Sequence, residues 1–152
     1  MRVAVGNDHR GVDAKRRVLA TVLAMNDVPT DLGTNATIGV DYPDFAIAVS
    51  EAVASGQADR GVLICATGHG MCITANKVYG IRAVNCRDIV DAEMSRTHND
   101  ANVLCLSADL LSEDMIEQIV RKWIETPFEN GSGRHARRNE KITQYEAAHQ
   151  KK

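Results

Sequence analysis

Residues 60–72 read RGVLICATGHGMC, and this stretch decides the fold. Gly61 to Cys65 is a short apolar run of the length of a buried strand, and Gly68 and Gly70 interrupt it before a segment of helical period begins. A strand that passes through a glycine turn into a helix is the first part of a βαβ unit, whose next strand is parallel. The stretch therefore predicts one strand and one helix of a parallel sheet covered by helices.

The same alternation recurs on both sides of this stretch. The apolar and β-branched runs predict five strands, at Arg2 to Gly6, Val28 to Leu32, Gly61 to Cys65, Ile81 to Cys86 and Asn102 to Leu106. Segments of helical period predict helices at Val12 to Ala24, Phe45 to Ser55, Met71 to Val78, Ile89 to Thr97 and Glu113 to Glu125, with a last helix from about Arg137. The predicted fold class is α/β with a five-stranded parallel sheet. Functional residues are expected just after the strands, because ligands of such sheets collect at the carboxyl edge.

Composition narrows the class of protein. With 152 residues, 44% of them hydrophobic and 25% charged, the chain has the size of one domain, residues 1–152. Its net charge of -2 gives no positive field for nucleic acid or a membrane, so neither is expected as a partner. The N-terminus lacks the apolar stretch of a secretory signal, and the cysteines have neither disulfide nor metal spacing. We therefore expect a cytoplasmic protein with reduced thiols and no metal site.

Residues 126–133, TPFENGSG, form a predicted linker, because a proline and two glycines break helical structure there. Residues 127–152 would then consist of a linker and a C-terminal helix appended to the main body. An appended helix often packs on a neighbouring subunit, so we expect a homodimer that exchanges these helices.

Two turns after predicted strands carry candidate functional side chains. Asp8 and His9 follow the first strand and place a carboxylate and an imidazole at the ligand edge, although Asp8 could instead cap the next helix and His9 lie on the surface. Cys65 ends the third strand beside a helix start, whose partial positive charge stabilises a thiolate that can act as a base. The alternative is that Cys65 is a small buried hydrophobic residue.

The turn after Cys65 also predicts an oxyanion hole. Gly68 and Gly70 let the main chain approach a ligand, and the amides at the helix start could stabilise an enediolate oxygen. The turn has neither the glycine spacing of a dinucleotide fingerprint nor the lysine of a P-loop, so no nucleotide is expected. His69 lies between the two glycines, and its role is left open. Packing is the interpretation for the remaining thiols, Cys72, Cys86 and Cys105.

Two further polar clusters lie nearer the C-terminus. His98 could donate a proton to, and accept one from, the ring oxygen of a sugar, and Asn99 follows it; a helix C-terminal cap is the alternative for both residues. Arg134 and Arg138 are spaced i, i+4, so both guanidinium groups could bind one phosphate. A solvated basic helix face is the alternative for these arginines.

These landmarks resemble the ribose-5-phosphate isomerase B family, which includes galactose-6-phosphate and allose-6-phosphate isomerases. The resemblance covers nearly the whole chain. The shared motifs are D-H at residues 8–9, D-Y-P at 41–43, C-x-T-G-x-G from Cys65, A-N-K and G-I-R-A within 75–83, H-N-D-x-N from His98 and G-R-H-x-x-R from Gly133. The resemblance implies a Rossmann-like three-layer sandwich with an extra C-terminal helix. It also implies a homodimer or dimer of dimers with shared active sites, and no metal or nucleotide cofactor.

The implied activity is the interconversion of ribose 5-phosphate and ribulose 5-phosphate through an enediolate. Cys65 would transfer the proton, Thr67 would supply a supporting hydroxyl, and His98 with Asp8 would open the furanose ring. His9, Arg134 and Arg138 would hold the phosphate, and Asn99 a sugar hydroxyl. The implied substrate-binding set comprises Asp8, His9, Ala66, Thr67, Gly68, His69, Gly70, Asn99, Arg134 and Arg138.

The chain departs from the family pattern at several positions. Asp109 stands where many relatives carry an arginine that binds substrate, so either the remaining arginines suffice or Asp109 turns away. Ala66 replaces a frequent glycine, and His69 replaces an apolar residue. A hexose 6-phosphate is therefore the alternative substrate. A non-enzymatic flavodoxin-like binding domain, such as a receiver domain, is the alternative from another class, although a receiver needs an aspartate where this chain has Cys65.

Overall fold

The computed structural model describes residues 1–128 and 133–149. In this part of the chain, each of the five strands is followed by a helix, and one further helix comes at the C-terminal end. The strands are β1 (Arg2–Asn7), β2 (Val28–Asp31), β3 (Arg60–Cys65), β4 (Ala83–Asn85) and β5 (Val103–Ser107). The helices are α1 (Val12–Ala24), α2 (Tyr42–Ala54), α3 (His69–Ala75), α4 (Ile89–Asn99), α5 (Glu113–Glu125) and α6 (Arg134–His149).

All five strands are parallel, in the order β2-β1-β3-β5-β4. Neighbouring residues of one strand face opposite layers, as Ala4 and Val5 of β1 show. Val5 belongs to the core under α1, α4 and α5, which includes the fully buried Trp123. Ala4 belongs to the core under α2 and α3, together with Val49. The predicted α/β class and three-layer Rossmann-like sandwich are confirmed.

Several predicted boundaries are wrong by two or three residues. Helix α2 begins at Tyr42 rather than Phe45, since Pro43 fits the first helical turn, where an amide hydrogen is not needed. Helix α3 is His69–Ala75 rather than Met71 to Val78. Strand β4 keeps only Ala83–Asn85 of the predicted Ile81 to Cys86, because it is an edge strand that pairs with β5 alone.

The capping signals at two helices are confirmed. The Asp88 carboxylate accepts hydrogen bonds from the amides of Val90 and Asp91, and the Ser112 hydroxyl accepts one from Met115. Helix α6 begins at Arg134, three residues before the predicted start. Residues 129–132 of the predicted linker lie outside the described residues. No helix of the described chain has the length and apolar character needed to cross a membrane.

The sheet has a switch point between β1 and β3. The chain leaves β1 into α1 on one face of the sheet and leaves β3 into α3 on the other face. The two outgoing loops therefore diverge and leave a crevice at the carboxyl edge, where doubly wound sheets bind ligands. Helix α4 runs back across the sheet and ends just before β5 begins, at the opposite, amino edge.

Candidate active site

Cys65 is the last residue of β3 and lies at the crevice. Its side chain is buried beside the α2 and α3 layer, and the Gly68 amide donates a hydrogen bond to its sulfur at 3.1 Å. The Gly68 backbone has a φ of 78°, in the left-handed region. A Cβ at Gly68 would also lie 2.6 Å from Oδ1 of Asn85. The turn that points an amide at the sulfur therefore requires glycine at this position.

Asn85, at the end of β4, holds this turn from the side. Its amide nitrogen donates to the Thr67 carbonyl at 3.1 Å and lies 2.8 Å from Nδ1 of His69. Because the same amide nitrogen must donate to Thr67, Nδ1 of His69 accepts, and the neutral ring carries its proton on Nε2. His69 is exposed, so this Nε2–H is available to a ligand at the mouth of the crevice.

The start of α3 supplies main-chain donors next to the sulfur. The amides of Gly70 and Met71 lie in the first turn, where an α-helix has no acceptor for its N–H groups. The Thr67 hydroxyl is exposed and accepts weakly from the His69 amide at 3.4 Å. Within the predicted hole of Gly68 to Gly70, the Gly68 amide thus faces the sulfur, and the Gly70 amide lies in the first turn of α3, whereas Met71 is fully buried.

Asp8 and His9 lie across the crevice from Cys65. The Asp8 amide donates to the Ile64 carbonyl at 3.1 Å, which fixes Asp8 beside the end of β3. The alternative role of Asp8 as a helix cap is wrong, because α1 has Gly11 at its N-cap and no side-chain cap. The buried Asp8 carboxylate instead accepts from the Arg10 amide at 2.9 Å. Nδ1 of His9 accepts from the Val40 amide at 3.3 Å, which leaves Nε2 as the donor of the neutral ring.

The loop that orients His9 is held by residues that sequence reasoning missed. Lys15 is 1% exposed and forms an ion pair with Asp31 at 2.9 Å, and its ammonium also donates to the Thr34 carbonyl at 2.9 Å. The fully buried Asn7 bonds both the amide and the carbonyl of Thr34. These side chains hold residues 31–35 against β1 and α1. A lysine inside an amphipathic helix gives no sequence signal for such a role, because most such lysines are solvated.

Asp109 turns toward Arg10 of the β1 loop. Both Asp109 oxygens accept from Nη2 of Arg10, at 2.9 and 3.0 Å. The Asp109 amide in turn donates to the Ala66 carbonyl at 3.1 Å, so the acid is tied to the residue after Cys65. The departure at position 109 therefore brings an arginine from another loop to the same edge of the sheet.

His98 and Asn99 occupy the last turn of α4, at the amino edge of the sheet. The cap itself is Asp100, which ends the helix in the left-handed conformation with a φ of 47°, whereas His98 lies in the last turn, where the helix dipole favours a cation. The His98 ring stacks on that of His135, with the ring centroids 4.1 Å apart. The main-chain carbonyl of His98 accepts a hydrogen bond from the side-chain amide of Asn139 at 3.1 Å. Helix α6 is thus attached to α4 of its own chain beside His98.

Arg134 and Arg138 are exposed on the first turns of α6, near His98. Neither arginine forms an ion pair with an acid of the described residues. A cavity of about 1090 Å³ lies on the same side of the molecule, between α6 and the segment before β4, and Asn99 is among its lining residues. His98, Asn99, Arg134 and Arg138 therefore form one basic cluster at the amino edge, which we call the amino-edge cluster.

One chain does not bring the two groups of predicted residues together. Asp8, His9 and residues 65–70 lie at the carboxyl edge, and the amino-edge cluster lies at the other end of the strands. The six residues of β3 separate these edges by about 16–20 Å at the usual rise per residue. Proton transfer from His98 to a sugar held at Cys65 of the same chain is therefore excluded by the topology.

The other thiols have different surroundings. Burial raises the pKa of Cys86 to about 12 and the pKa of Cys105 well above its ordinary value. A hydrogen bond with Cys105 lowers the pKa of the half-buried Cys72 to about 7, against the opposing effect of burial. The packing interpretation thus fits Cys86 and Cys105 better than Cys72. Among the described residues, no group of three His, Cys, Asp or Glu side chains could hold a metal ion.

Comparison with known proteins gives consistent matches over almost the whole chain. A family model described as Ribose/Galactose Isomerase matches residues 3–142. The chain is 40% identical over 145 residues to ribose-5-phosphate isomerase B of Escherichia coli (strain K12), covering 95% of this chain and 96% of the relative. It is 36% identical over 154 residues to the D-erythrulose-4-phosphate isomerase of Pectobacterium atrosepticum, covering 100% of this chain and 98% of the relative. The structure of Clostridium thermocellum ribose-5-phosphate isomerase B has a TM-score of 0.94 at 43% identity and covers 99% of this chain and 100% of that chain.

Proposed function

The chain belongs to the ribose/galactose isomerase family and is a sugar-phosphate isomerase, and on this basis we propose that it interconverts ribose 5-phosphate and ribulose 5-phosphate in the cytoplasm. The proposed base is the Cys65 thiolate, which moves one proton between C2 and C1 of the open-chain sugar. Membership of the family sets aside the alternative of a non-enzymatic binding domain. The observation that supports the base most directly is the 3.1 Å hydrogen bond from the Gly68 amide to the Cys65 sulfur.

The position of Cys65 fits a base that both removes and returns a proton. The Gly68 amide stabilises the negative sulfur, and once that sulfur has taken a proton from C2 its burial keeps this proton out of exchange with bulk water until it is returned to C1. One such base can serve both carbons if the substrate is fixed at its far end. No redox partner or cofactor is needed, because the isomerisation transfers hydrogen within one molecule.

The enediolate between the two steps carries negative charge on its oxygens. The amide of Gly70 and the Nε2–H of His69 are donors at the start of α3, so they would stabilise that charge as it develops. The Thr67 hydroxyl and the backbone of Ala66 and Gly68 would complete the wall of the site. Removal of one donor of this kind typically lowers the rate about 100-fold or more.

Ring opening and part of the phosphate binding require the amino-edge cluster. Since the topology keeps that cluster away from Cys65 in one chain, we propose that a second copy supplies it. In this homodimer, or dimer of dimers, Asp8, His9 and Cys65 of one chain face His98, Asn99, Arg134 and Arg138 of the other. The 152 residues then act as a single domain whose last helix, already attached to its own α4, also contacts the partner.

The choice of sugar rests on the matched relatives. The ribose-5-phosphate isomerases B of E. coli and C. thermocellum are 40% and 43% identical to this chain, and the D-erythrulose-4-phosphate isomerase of P. atrosepticum is 36% identical. The pentose phosphate is proposed because ribose-5-phosphate isomerases B match this chain both in sequence and in structure. Four-carbon and six-carbon phosphates remain the competing substrates.

The test is a direct comparison of kcat/KM for ribose 5-phosphate, D-erythrulose 4-phosphate, allose 6-phosphate and galactose 6-phosphate. Ribose 5-phosphate is expected to give the highest value. A different sugar phosphate that is turned over about tenfold better, a ratio that one extra or missing carbon can produce, would replace the proposed substrate.

A further inference from the structure

Arg10 and Asp109 form an ion pair that joins two loops across the end of β3. Arg10 follows β1, Asp109 follows β5, and β3 with Cys65 lies between these strands. Outer strands of such a triplet lie about 10 Å apart, so the pair spans the carboxyl end of β3. Both ends are anchored: the Arg10 amide donates to the buried Asp8 carboxylate, and the Asp109 amide donates to the Ala66 carbonyl.

The guanidinium of Arg10 retains unused donors. Both Asp109 oxygens accept from the same nitrogen, Nη2, so Nε and Nη1 have no hydrogen-bond partner among the described residues. The arginine side chain is 56% exposed and therefore open to a ligand. A guanidinium has five N–H donors in a planar fork, and the free edge of such a fork matches a phosphate or a carboxylate.

Other cations near the carboxyl edge are less suitable for an anionic ligand. Lys15 is buried and already bonded to Asp31. Arg87 pairs with Asp91 of α4, at the far end of the sheet beyond β5. Of the arginines and lysines of the described residues, Arg10 is thus the one that lies beside His9 and Asp8 with donors to spare.

From this arrangement we infer that Arg10, held in place by Asp109, binds the phosphate group of the substrate within the chain that carries Cys65. This inference rests on the proposed function and extends its phosphate site beyond His9, Arg134 and Arg138. Asp109 is a positioning residue, because it touches the substrate only through Arg10. The phosphate of the substrate is then bound by residues of two chains. Arg10 and His9 come from one chain, and the α6 arginines come from the other.

The test compares Arg10→Gln with the matched control Arg16→Gln. Arg16 lies on α1 and pairs with Asp13 in an exposed ion pair, so its removal tests the loss of a surface arginine alone. For Arg10→Gln we expect KM for the sugar phosphate and the inhibition constant of inorganic phosphate to rise about 10- to 100-fold, the value of a charged hydrogen bond, with little change in kcat. Arg10→Lys should fall between wild type and Arg10→Gln, because lysine keeps the charge and loses the fork. Arg16→Gln should behave as wild type.

Asp109→Asn separates positioning from charge. If Asp109 orients Arg10, this variant raises KM although it makes the crevice more positive, and kcat is unchanged. A lower KM would show that Asp109 merely competes with the substrate for Arg10, and would overturn its positioning role.

Unchanged KM and phosphate inhibition in Arg10→Gln, or a loss of kcat alone, would overturn the assignment of Arg10. Failure of the proposed function gives a different result, since wild type itself would then turn over none of the sugar phosphates. In that case calorimetric titration of inorganic phosphate into wild type and Arg10→Gln still tests Arg10. Equal affinities would refute the phosphate site.

Discussion

The Cys65 thiol differs from the other thiols of the chain in what surrounds it. Cys86 and Cys105 lie in apolar cores, where burial raises the pKa of each thiol and keeps it protonated at neutral pH. Cys65 is also buried, but a main-chain amide points at its sulfur, and the residue ends β3 at the carboxyl edge, beside the switch point between β1 and β3. The Cys86 sulfur also forms a hydrogen bond, to Ser95, so what distinguishes Cys65 is a main-chain amide donor at the carboxyl edge of the sheet.

Replacement of Cys65 by alanine is expected to abolish turnover with little effect on folding. A proton-transfer group contributes about 10² to 10⁴ in rate, and the Gly68 amide bonds the Cys65 sulfur itself. The matched control is Cys86→Ala, which removes a thiol with a pKa of about 12 and should keep wild-type kcat at a stability cost of about 1 kcal/mol. Wild-type activity in Cys65→Ala, measured with ribose 5-phosphate, would refute the base assignment.

Cys72 should be the most readily alkylated of the remaining thiols. Its pKa of about 7 is lower than that of an ordinary thiol, so the reactive thiolate becomes the main form as pH rises through neutrality. In a Cys65→Ala background, the rate of iodoacetamide labelling at Cys72 should rise between about pH 6 and 8 and then level off. Labelling of Cys86 should stay slow over that range, because its pKa is about 12. Mass spectrometry of the labelled peptides distinguishes the two sites, and equal rates would contradict the account.

At the scale of elements, the loop from β3 to α3 depends on the conformation of Gly68. Its φ of 78° disfavours a side chain, and a Cβ at this position would lie 2.6 Å from Oδ1 of Asn85. Asn85 in turn holds Thr67 and His69, so a shift of this asparagine disturbs the whole oxyanion site. The end of β4 therefore controls the geometry at the end of β3, although β5 lies between them.

Gly68→Ala is expected to reduce kcat by at least about 100-fold, since it displaces Asn85 and turns the main-chain donors away from the substrate oxygen. The control is Gly56→Ala, which has a nearly equal φ of 76° and no atom within 4 Å of the added Cβ. Both variants should lose about 1–3 kcal/mol of stability from backbone strain. Only Gly68→Ala should lose activity, and equal activities would show that the loop geometry is not required.

The elements that could be predicted from sequence were those with strong periodicity. The buried strands β1, β3 and β5 are continuous apolar runs, and α1 and α5 match their predicted bounds because a wide apolar stripe repeats along each helix. The first and last residues of strand β4 could not be predicted from the sequence, because the length of this strand is set by its pairing with β5 alone. The sequence also predicts the polar side chains at the strand ends, since parallel strands gather their carboxyl ends at one edge.

Other parts of the site depend on contacts between distant residues. Arg10 and Asp109 are 99 residues apart, and Lys15 reaches Asp31 and the loop after it from inside a helix. Neither pairing has a local sequence pattern. The same holds for Asn85, whose role is visible only when β4 is placed two strands from β3.

At the scale of the whole molecule, the two halves of the predicted site lie at opposite edges of one sheet. Such a division is consistent with an enzyme that works as a symmetric dimer, because a two-fold axis can place the amino edge of one chain over the carboxyl edge of the other. Helix α6 already carries the basic residues on an exposed face, and Ile142 and Tyr145 on the same helix are also exposed. The central claim is that each active site is made from two chains.

The most direct test is a heterodimer of Cys65→Ala with the double variant Arg134→Ala/Arg138→Ala, co-expressed with two different tags and purified through both. Each parent homodimer should be nearly inactive with ribose 5-phosphate. If sites are shared, one of the two sites in the heterodimer contains no mutation, and about half of the wild-type rate should return. If each chain forms its own complete site, both sites in the heterodimer are defective, and an activity no higher than that of the parents would contradict the account.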